Sequence, residues 1–360
     1  LFLFFIFTNL SASIFDFNPE FLKGTDAYLN YEFEKADSIF TNLSANNPNE
    51  PVFAFYKIVC ENAFYRSKGL FKESEDSLFT KFPDLMVLFK NDLKKNPESA
   101  STYLYYGTAK ALKARMYMTR GAYLSAMKNG IPSIRYADKS LKLDPEYEDA
   151  KLALGTFDIF ISIVGEHYPF ATRFMPDNEY RERGIKRLTD AMEKGRYSRG
   201  EASLLLLMIT LYEEENFQKA SKIGKMLTDK YPDNMEFRSL YSESLILLEH
   251  LQLAQENLLI MEENIANSDN ESFHNMWSIR LNYLKGLKSM KEANFAQAIQ
   301  FFENVIENYC FEFGWQKALS WYYIAETYSM QGDTKNAKIA LKNCVDTGEI
   351  TKAVLKAKKK

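Results

Sequence analysis

The chain has 360 residues, 46% hydrophobic and 15% aromatic, with a net charge of −3 and a mean hydropathy of −0.33. That balance excludes a disordered chain and gives no overall electrostatic case for nucleic acid, whose binders show a basic domain or stripe. Gly 15 plus Pro 10 is about 7% where about 12% is ordinary; so few breakers argue against a many-turned β-sandwich or barrel and for long helices.

Leu1 to Phe7 is a run of seven apolar residues, followed by Thr8-Asn9-Leu10-Ser11-Ala12-Ser13. A short apolar run followed by small residues is the pattern of a secretory signal, and it is too short to span a bilayer. Residues 1–13 are therefore expected to be a signal remnant, and the chain to be exported, periplasmic or envelope-associated. The alternative is a buried first helix. Three Cys cannot build a disulfide framework. In an exported chain they are buried single thiols, or Cys310 and Cys344 form one pair.

Small residues then recur at the interval of a helical hairpin. Gly24 precedes Ala36 by twelve residues, followed by Phe40, Leu43 and Pro48. The middle is irregular. Gly107 runs to Asp144-Pro145, and Gly155 precedes Gly184 by 29 residues, so these units have longer helices or an inserted loop. Ile159 to Tyr180 is such an insertion, apolar and interrupted by Pro169 and Pro176. Its Ile159, Phe160, Ile161, Ile163, Val164, Phe170, Phe174 and Met175 exceed what a solvated loop exposes, and they are expected to pack inside the assembly. Leu204, Leu207, Met208 and Leu211 precede Ala220, and Ala254 follows Ala220 by 34 residues. Gly286 again precedes Ala298 by twelve, with Phe302 and Val305 beyond. The clearest unit closes the series: Trp321, Ile324, Ala325 and Tyr328, then Gly332-Asp333 at a turn, then Ala337, Leu341 and Cys344.

This last pattern, and its weaker echoes upstream, resembles the tetratricopeptide repeat, W-x2-L-G-x2-Y then A-x3-F, and the stretch Tyr180 to Ala220 is similar to a block of its bacterial exported members. A weaker similarity is to a eukaryotic repeat family with long helices. The resemblance spans about residues 17 to 349. It implies an all-α, right-handed α-solenoid of six or seven stacked antiparallel helix pairs, over 14–349. The blocks fall at about 17–50, 51–98, 99–146, 147–200, 201–268 and 272–349, with a basic, solvated tail over 350–360. It also implies a non-enzymatic scaffold or adaptor that takes a protein or peptide segment in its concave groove. The alternatives are a self-assembling structural module, and an enzyme using the 159–180 insertion. Groove-facing positions, projected from the small residues, are Leu205, Ile209 and Tyr212; Ser239, Glu243 and Ile246; Tyr283, Leu287 and Met290; and Tyr322 and Glu326. Family members that clamp a terminal carboxylate use Lys and Asn at such positions. Here Leu205, Ile209, Ser239 and Glu243 stand there, so a basic or apolar peptide fits better.

Reactive motifs are not evident. There is no G-x-G-x-x-G, no G-x-S-x-G and no H-E-x-x-H. His167, His250 and His274 stand 83 and 24 residues apart, which is not a metal-ligand spacing. No cofactor and no metal are expected, and no nucleic-acid partner. Membrane contact has no support in the sequence beyond the N-terminal segment. Glu166-His167 is the one place suited to acid–base work.

Overall fold

In a computed structural model the described residues, 18–168 and 177–360, are all-helical. The readings placed on Leu1–Phe7, Phe170, Phe174 and Met175 lie outside them. The helices are α1 (Pro19–Leu29), α2 (Phe33–Asn46), α3 (Pro51–Ser67), α4 (Phe71–Lys95), α5 (Ala100–Thr119), α6 (Tyr123–Leu143), α7 (Ala150–His167) and α8 (Asp177–Lys194). Next comes α9 (Arg199–Met208), which runs on into a π-helical turn, Ile209–Glu213. There follow α10 (Phe217–Lys230), α11 (Met235–Leu247), α12 (Leu251–Ala266), α13 (Glu271–Lys291), α14 (Phe295–Glu307), α15 (Trp315–Met330), α16 (Thr334–Asp346) and α17 (Lys352–Lys359).

Each odd-numbered helix pairs with the even-numbered one after it, and each pair packs on the next. Among the described residues this makes eight hairpins rather than six or seven, because the blocks 201–268 and 272–349 hold two each. The irregular middle consists of long helices: α4 has 25 residues, α5 20 and α6 21, against 13 in α14 and α16. Residues Ile159 to His167 of the expected insertion are the C-terminal half of α7. There Ile159 is buried while Phe160 is exposed, so this stretch packs inside only in part.

The recurring small residues are where the paired helices touch. A Cβ on Gly24 would lie 2.6 Å from Cε1 of Phe40, and one on Gly286 would lie 2.8 Å from Cε1 of Phe302. The two contacts are the same one repeated, glycine under a phenylalanine sixteen residues on. Ala36 and Ala298, twelve residues after each glycine, are wholly buried. The α7–α8 crossing adds charge. Buried Asp158 accepts from Nε and Nη2 of Arg183 at 2.9 and 2.7 Å, and from Nη1 of Arg187 at 2.7 Å.

The hairpin turns share a backbone device. Among the described residues seven contain one residue in the left-handed region: Tyr31, Gly69, Gly121, Glu215, Glu249, Ala293 and Gly332. Four of these are not glycine. A Cβ costs about 1–2 kcal/mol in that conformation. Ala293→Gly, at φ 59°, is therefore expected to stabilise the chain by about 0.5–1 kcal/mol after glycine's own entropy is charged against it. Urea denaturation followed by circular dichroism measures it.

The stack also closes on itself. Asp26 on α1 accepts from the Tyr231 hydroxyl at 2.7 Å and from Lys230 Nζ at 3.0 Å. Asn234 Nδ2 donates to the Leu29 carbonyl at 2.7 Å while its Oδ1 caps α11. Leu29 lies on Gly200 at the start of α9. Further along, Trp277 Nε1 on α13 donates to the Ser67 carbonyl at 3.2 Å. Arg66 and Arg115 both donate to Glu312, at 2.7 and 2.6 Å. Hairpin 1 thus meets hairpins 5 and 6, and hairpins 2 and 3 meet hairpins 7 and 8.

Candidate functional site

The projected groove positions come together, but as core. Ile209, Glu243, Tyr283 and Leu287 are buried, and Leu205, Tyr212, Tyr322 and Glu326 are part-buried. Glu243 on α11 is the hub. It accepts from the Tyr212 hydroxyl and from the Tyr283 hydroxyl, each at 2.7 Å. Arg280 on α13, itself buried, donates to Ser239 Oγ at 3.2 Å and to Glu236 at 3.1 Å. Its guanidinium lies 5.2 Å from the Trp315 ring centroid. The π-turn after α9, and helices α11, α13 and α15, therefore each contribute to a single polar cluster. Burial raises the Glu243 carboxyl, with Arg280 and the two tyrosine hydroxyls opposing. Burial works against the Arg280 charge, but Glu236, Tyr212, Glu243 and Tyr283 outweigh it and hold the pKa above the ordinary arginine range. Of the positions projected onto the groove, Ile209, Glu243, Tyr283 and Leu287 are buried instead of open, and the Tyr212 and Tyr283 hydroxyls are taken up by Glu243.

The C-terminal segment changes likewise. In place of a solvated basic tail, residues 352–359 form α17, capped by Thr351 and burying Ala353, Val354 and Ala357. Lysines on it and just after it reach back to earlier parts of the chain. Lys352 and Lys356 pair with Glu215, and Lys360 pairs with Glu326. Lys356 and Lys360 also lie 5.9 and 5.3 Å from the Tyr322 ring centroid. Tyr322 and Glu326 are thus already engaged from within the chain. About 30 Å³ remains between Tyr212, Tyr322 and α17.

A larger space lies where the turns between hairpins gather. A cavity of about 730 Å³ is walled by the α4–α5, α6–α7 and α8–α9 turns, by Lys230 and Tyr231, and by one face of α1. Apart from the Asp26–Lys230 pair, its charges are sorted by turn. Glu98, Asp144, Glu146, Glu148 and Asp149 come from the first two turns, and Lys194, Arg196 and Arg199 from the third. Asp149 is fixed in place, accepting from Tyr197 N, Ser198 N and Ser198 Oγ at 2.7–2.8 Å. This site was not among the residues projected from the sequence. Its signal was the set of charged turn residues at 96–99, 144–149 and 194–199.

The residues singled out for chemistry have ordinary surroundings. Glu166 pairs with Arg181. His167 ends α7, where burial and then Lys358 pull its pKa down. Cys60 and Cys344 are buried thiols, pushed up to about 12 by burial, and Cys310 is exposed; all three are free. Among the described residues no group of His, Cys, Asp and Glu is arranged to hold a metal.

Two carboxyls are pushed up to about 7, foremost by burial. They are Glu201 on α9, with Asp149 and Asp26 adding to the rise, and Glu213 in the π-turn, where Arg181 opposes it. In the unfolded chain each ionises near 4.5. Between that value and 7 the unfolded state sheds protons that the folded state keeps, so stability falls as pH rises through this window. The urea midpoint is expected to drop from about pH 5 to about pH 7.5, and Glu201→Gln with Glu213→Gln to flatten that drop. An unchanged slope in the double variant refutes the assignment.

These features define a class: an α-helical solenoid of stacked hairpins with a turn-lined cavity. Within it, the family signature of the tetratricopeptide repeat matches residues 319–347, which fall on α15 and α16. The chain thus carries a tetratricopeptide repeat. Solved structures similar to it include yeast Tom70, at 11% identity over 94% of this chain and 87% of that one, with a TM-score of 0.38. A tetratricopeptide repeat protein from Parabacteroides merdae matches at 13% identity over 86% and 97%, with a TM-score of 0.34. A human IFIT1 dimer with m7Gppp-AAAA matches at 11% identity over 94% and 78%, with a TM-score of 0.36. Likenesses this distant assign neither a partner nor an overall shape. The search among curated proteins returned no match.

Proposed function

We propose that the chain is a non-enzymatic interaction scaffold that takes a short segment of a protein partner in the turn-lined cavity. The tetratricopeptide fold is that of a protein–protein interaction scaffold, which gives the general class. The cavity carries the specific reading. About 730 Å³ is within the range of sites that enclose small ligands and admits a few residues of extended chain. The charge sorting favours a segment bearing both a cation and an anion, the cation toward Glu98 and Glu146 and the anion toward Arg196 and Arg199. Turns fixed by packed helices leave little ordering entropy to lose on association. The exported, envelope-associated placement is kept as part of this proposal, supported by the Leu1–Phe7 run alone.

Panning a library of short peptides on the full chain tests it. Peptides of mixed charge should be enriched, and Glu146→Lys or Arg196→Glu should each weaken them at least about ten-fold, the scale of a lost charge-assisted contact. Enriched peptides indifferent to both substitutions would place the site elsewhere.

A further inference from the structure

The charge of this acidic chain is unevenly placed. From Leu85 in the middle of α4 to Leu143 at the end of α6 there are eleven Lys and Arg against three Asp and Glu. Much of that charge has no carboxylate partner. Lys90, Lys110, Lys113, Arg135 and Lys139 make no ion pair among the described residues, whereas Lys142 pairs with Asp138. Lys110 lies 5.1 Å from the Tyr106 ring centroid and 6.0 Å from that of Tyr136, and Lys139 lies 6.0 Å from that of Tyr103. After burial, Lys90 and Lys113 are what lower the Lys110 pKa, so the cations crowd one another.

The same helix carries an apolar stripe. On α6, Tyr123, Leu124, Met127 and Ile131 are exposed at 67%, 78%, 57% and 50%. They occupy the first turns of a face that continues, at helical spacing, through Arg135 and Lys139. Scattered apolar residues on a surface need no explanation, but a contiguous stripe does.

We propose that the α6 face docks on an anionic bilayer surface, with Tyr123, Leu124, Met127 and Ile131 entering the interface and Lys90, Lys110, Arg135 and Lys139 meeting lipid phosphates and carboxylates. Two features select this occupant. An interfacial helix needs apolar side chains that project and cations beside them, and both are present on one stripe. The apolar residues stand out from the surface and line neither cavity, so they suit a fluid phase better than a partner with matched pockets. Nucleic acid would meet the cations but leave the aliphatic residues in water. The tyrosines give bases little to stack on, because Tyr103 and Tyr136 stack on each other, with ring centroids 6.0 Å apart, and Lys110 and Lys139 lie over the rings. No helix among the described residues is long and apolar enough to cross a membrane, so the contact is peripheral.

The test is co-sedimentation of the full chain with vesicles of equimolar phosphatidylcholine and phosphatidylserine, and with phosphatidylcholine alone. Binding is expected to the mixture, weak or absent on phosphatidylcholine, and to fall with added salt. Arg135→Ala with Lys139→Ala should weaken it about 25-fold, at about five-fold per cation. Leu124→Ser with Met127→Ser should weaken it at least about ten-fold. All four side chains lie away from the buried core, and circular dichroism verifies that helicity is unchanged. Equal binding to both vesicle types, or none to either, overturns the proposal. So does a serine variant that binds as well as the parent chain, since charge alone would then explain the contact and an acidic protein would be the better occupant.

Discussion

Glu243→Ala is expected to lower the unfolding free energy by about 3–5 kcal/mol, the cost of removing one partner from a buried charged cluster. The substitution strands two tyrosine hydroxyls, those of Tyr212 and Tyr283, and removes a nearby counter-charge of buried Arg280. A buried donor left without an acceptor costs about 1–3 kcal/mol by itself. Glu243→Gln keeps one acceptor oxygen and the side-chain shape, so its loss should be distinctly smaller. Urea denaturation of both variants measures the difference. A loss below about 1 kcal/mol for the alanine variant would mean that apolar packing alone aligns α9, α11 and α13.

Trp277→Ala should cost about as much, about 3–5 kcal/mol for a large buried side chain, and should also change the molecule's shape. Trp277 is 3% exposed, and its indole N–H bonds the chain 210 residues earlier at Ser67. Without it the seam between hairpins 2 and 7 loosens, and solution scattering should report a larger radius of gyration. Gly69→Ala attacks the same seam by another route. Gly69 sits at φ 74°, and a Cβ there would lie 2.8 Å from the Ser272 carbonyl oxygen. Trp277→Phe, which keeps most of the packing and loses the hydrogen bond, should cost about 1 kcal/mol for that bond and leave the radius unchanged. If the alanine variants also keep the parent radius, the seam does not set the curvature.

The stacking of hairpins was legible because it depends on local rules. Gly24 with Ala36 and Gly286 with Ala298 keep one interval, and paired helices approach closely where such small residues sit. The hairpin count was less legible. Four of the seven left-handed turn positions carry Tyr31, Glu215, Glu249 or Ala293, residues that do not announce a positive φ, so those turns left no glycine mark. Projection onto the first helices found Tyr212, Glu243 and Tyr283 as neighbours, since a helical period predicts which side chains share a face. It could not tell whether that face meets solvent or the rest of the chain. That depends on curvature, which small rotations between hairpins accumulate over two hundred residues. Burial of α17 was hidden for a related reason: Lys352, Lys356 and Lys360 read as a solvated tail until Glu215 and Glu326 were placed beside them.

The two long-range seams have a consequence for how such a chain can vary. In an open array each repeat answers only to its neighbours, so units can be duplicated or deleted with modest penalty, and the termini melt first. Here Asp26 must find Tyr231 and Glu312 must find Arg66, so the number of hairpins between them is fixed as firmly as the teeth on a gear. Insertion of one unit between hairpins 3 and 5 would misalign both seams at once. For the same reason the two halves should denature together, as one cooperative body, instead of fraying inward from the tips.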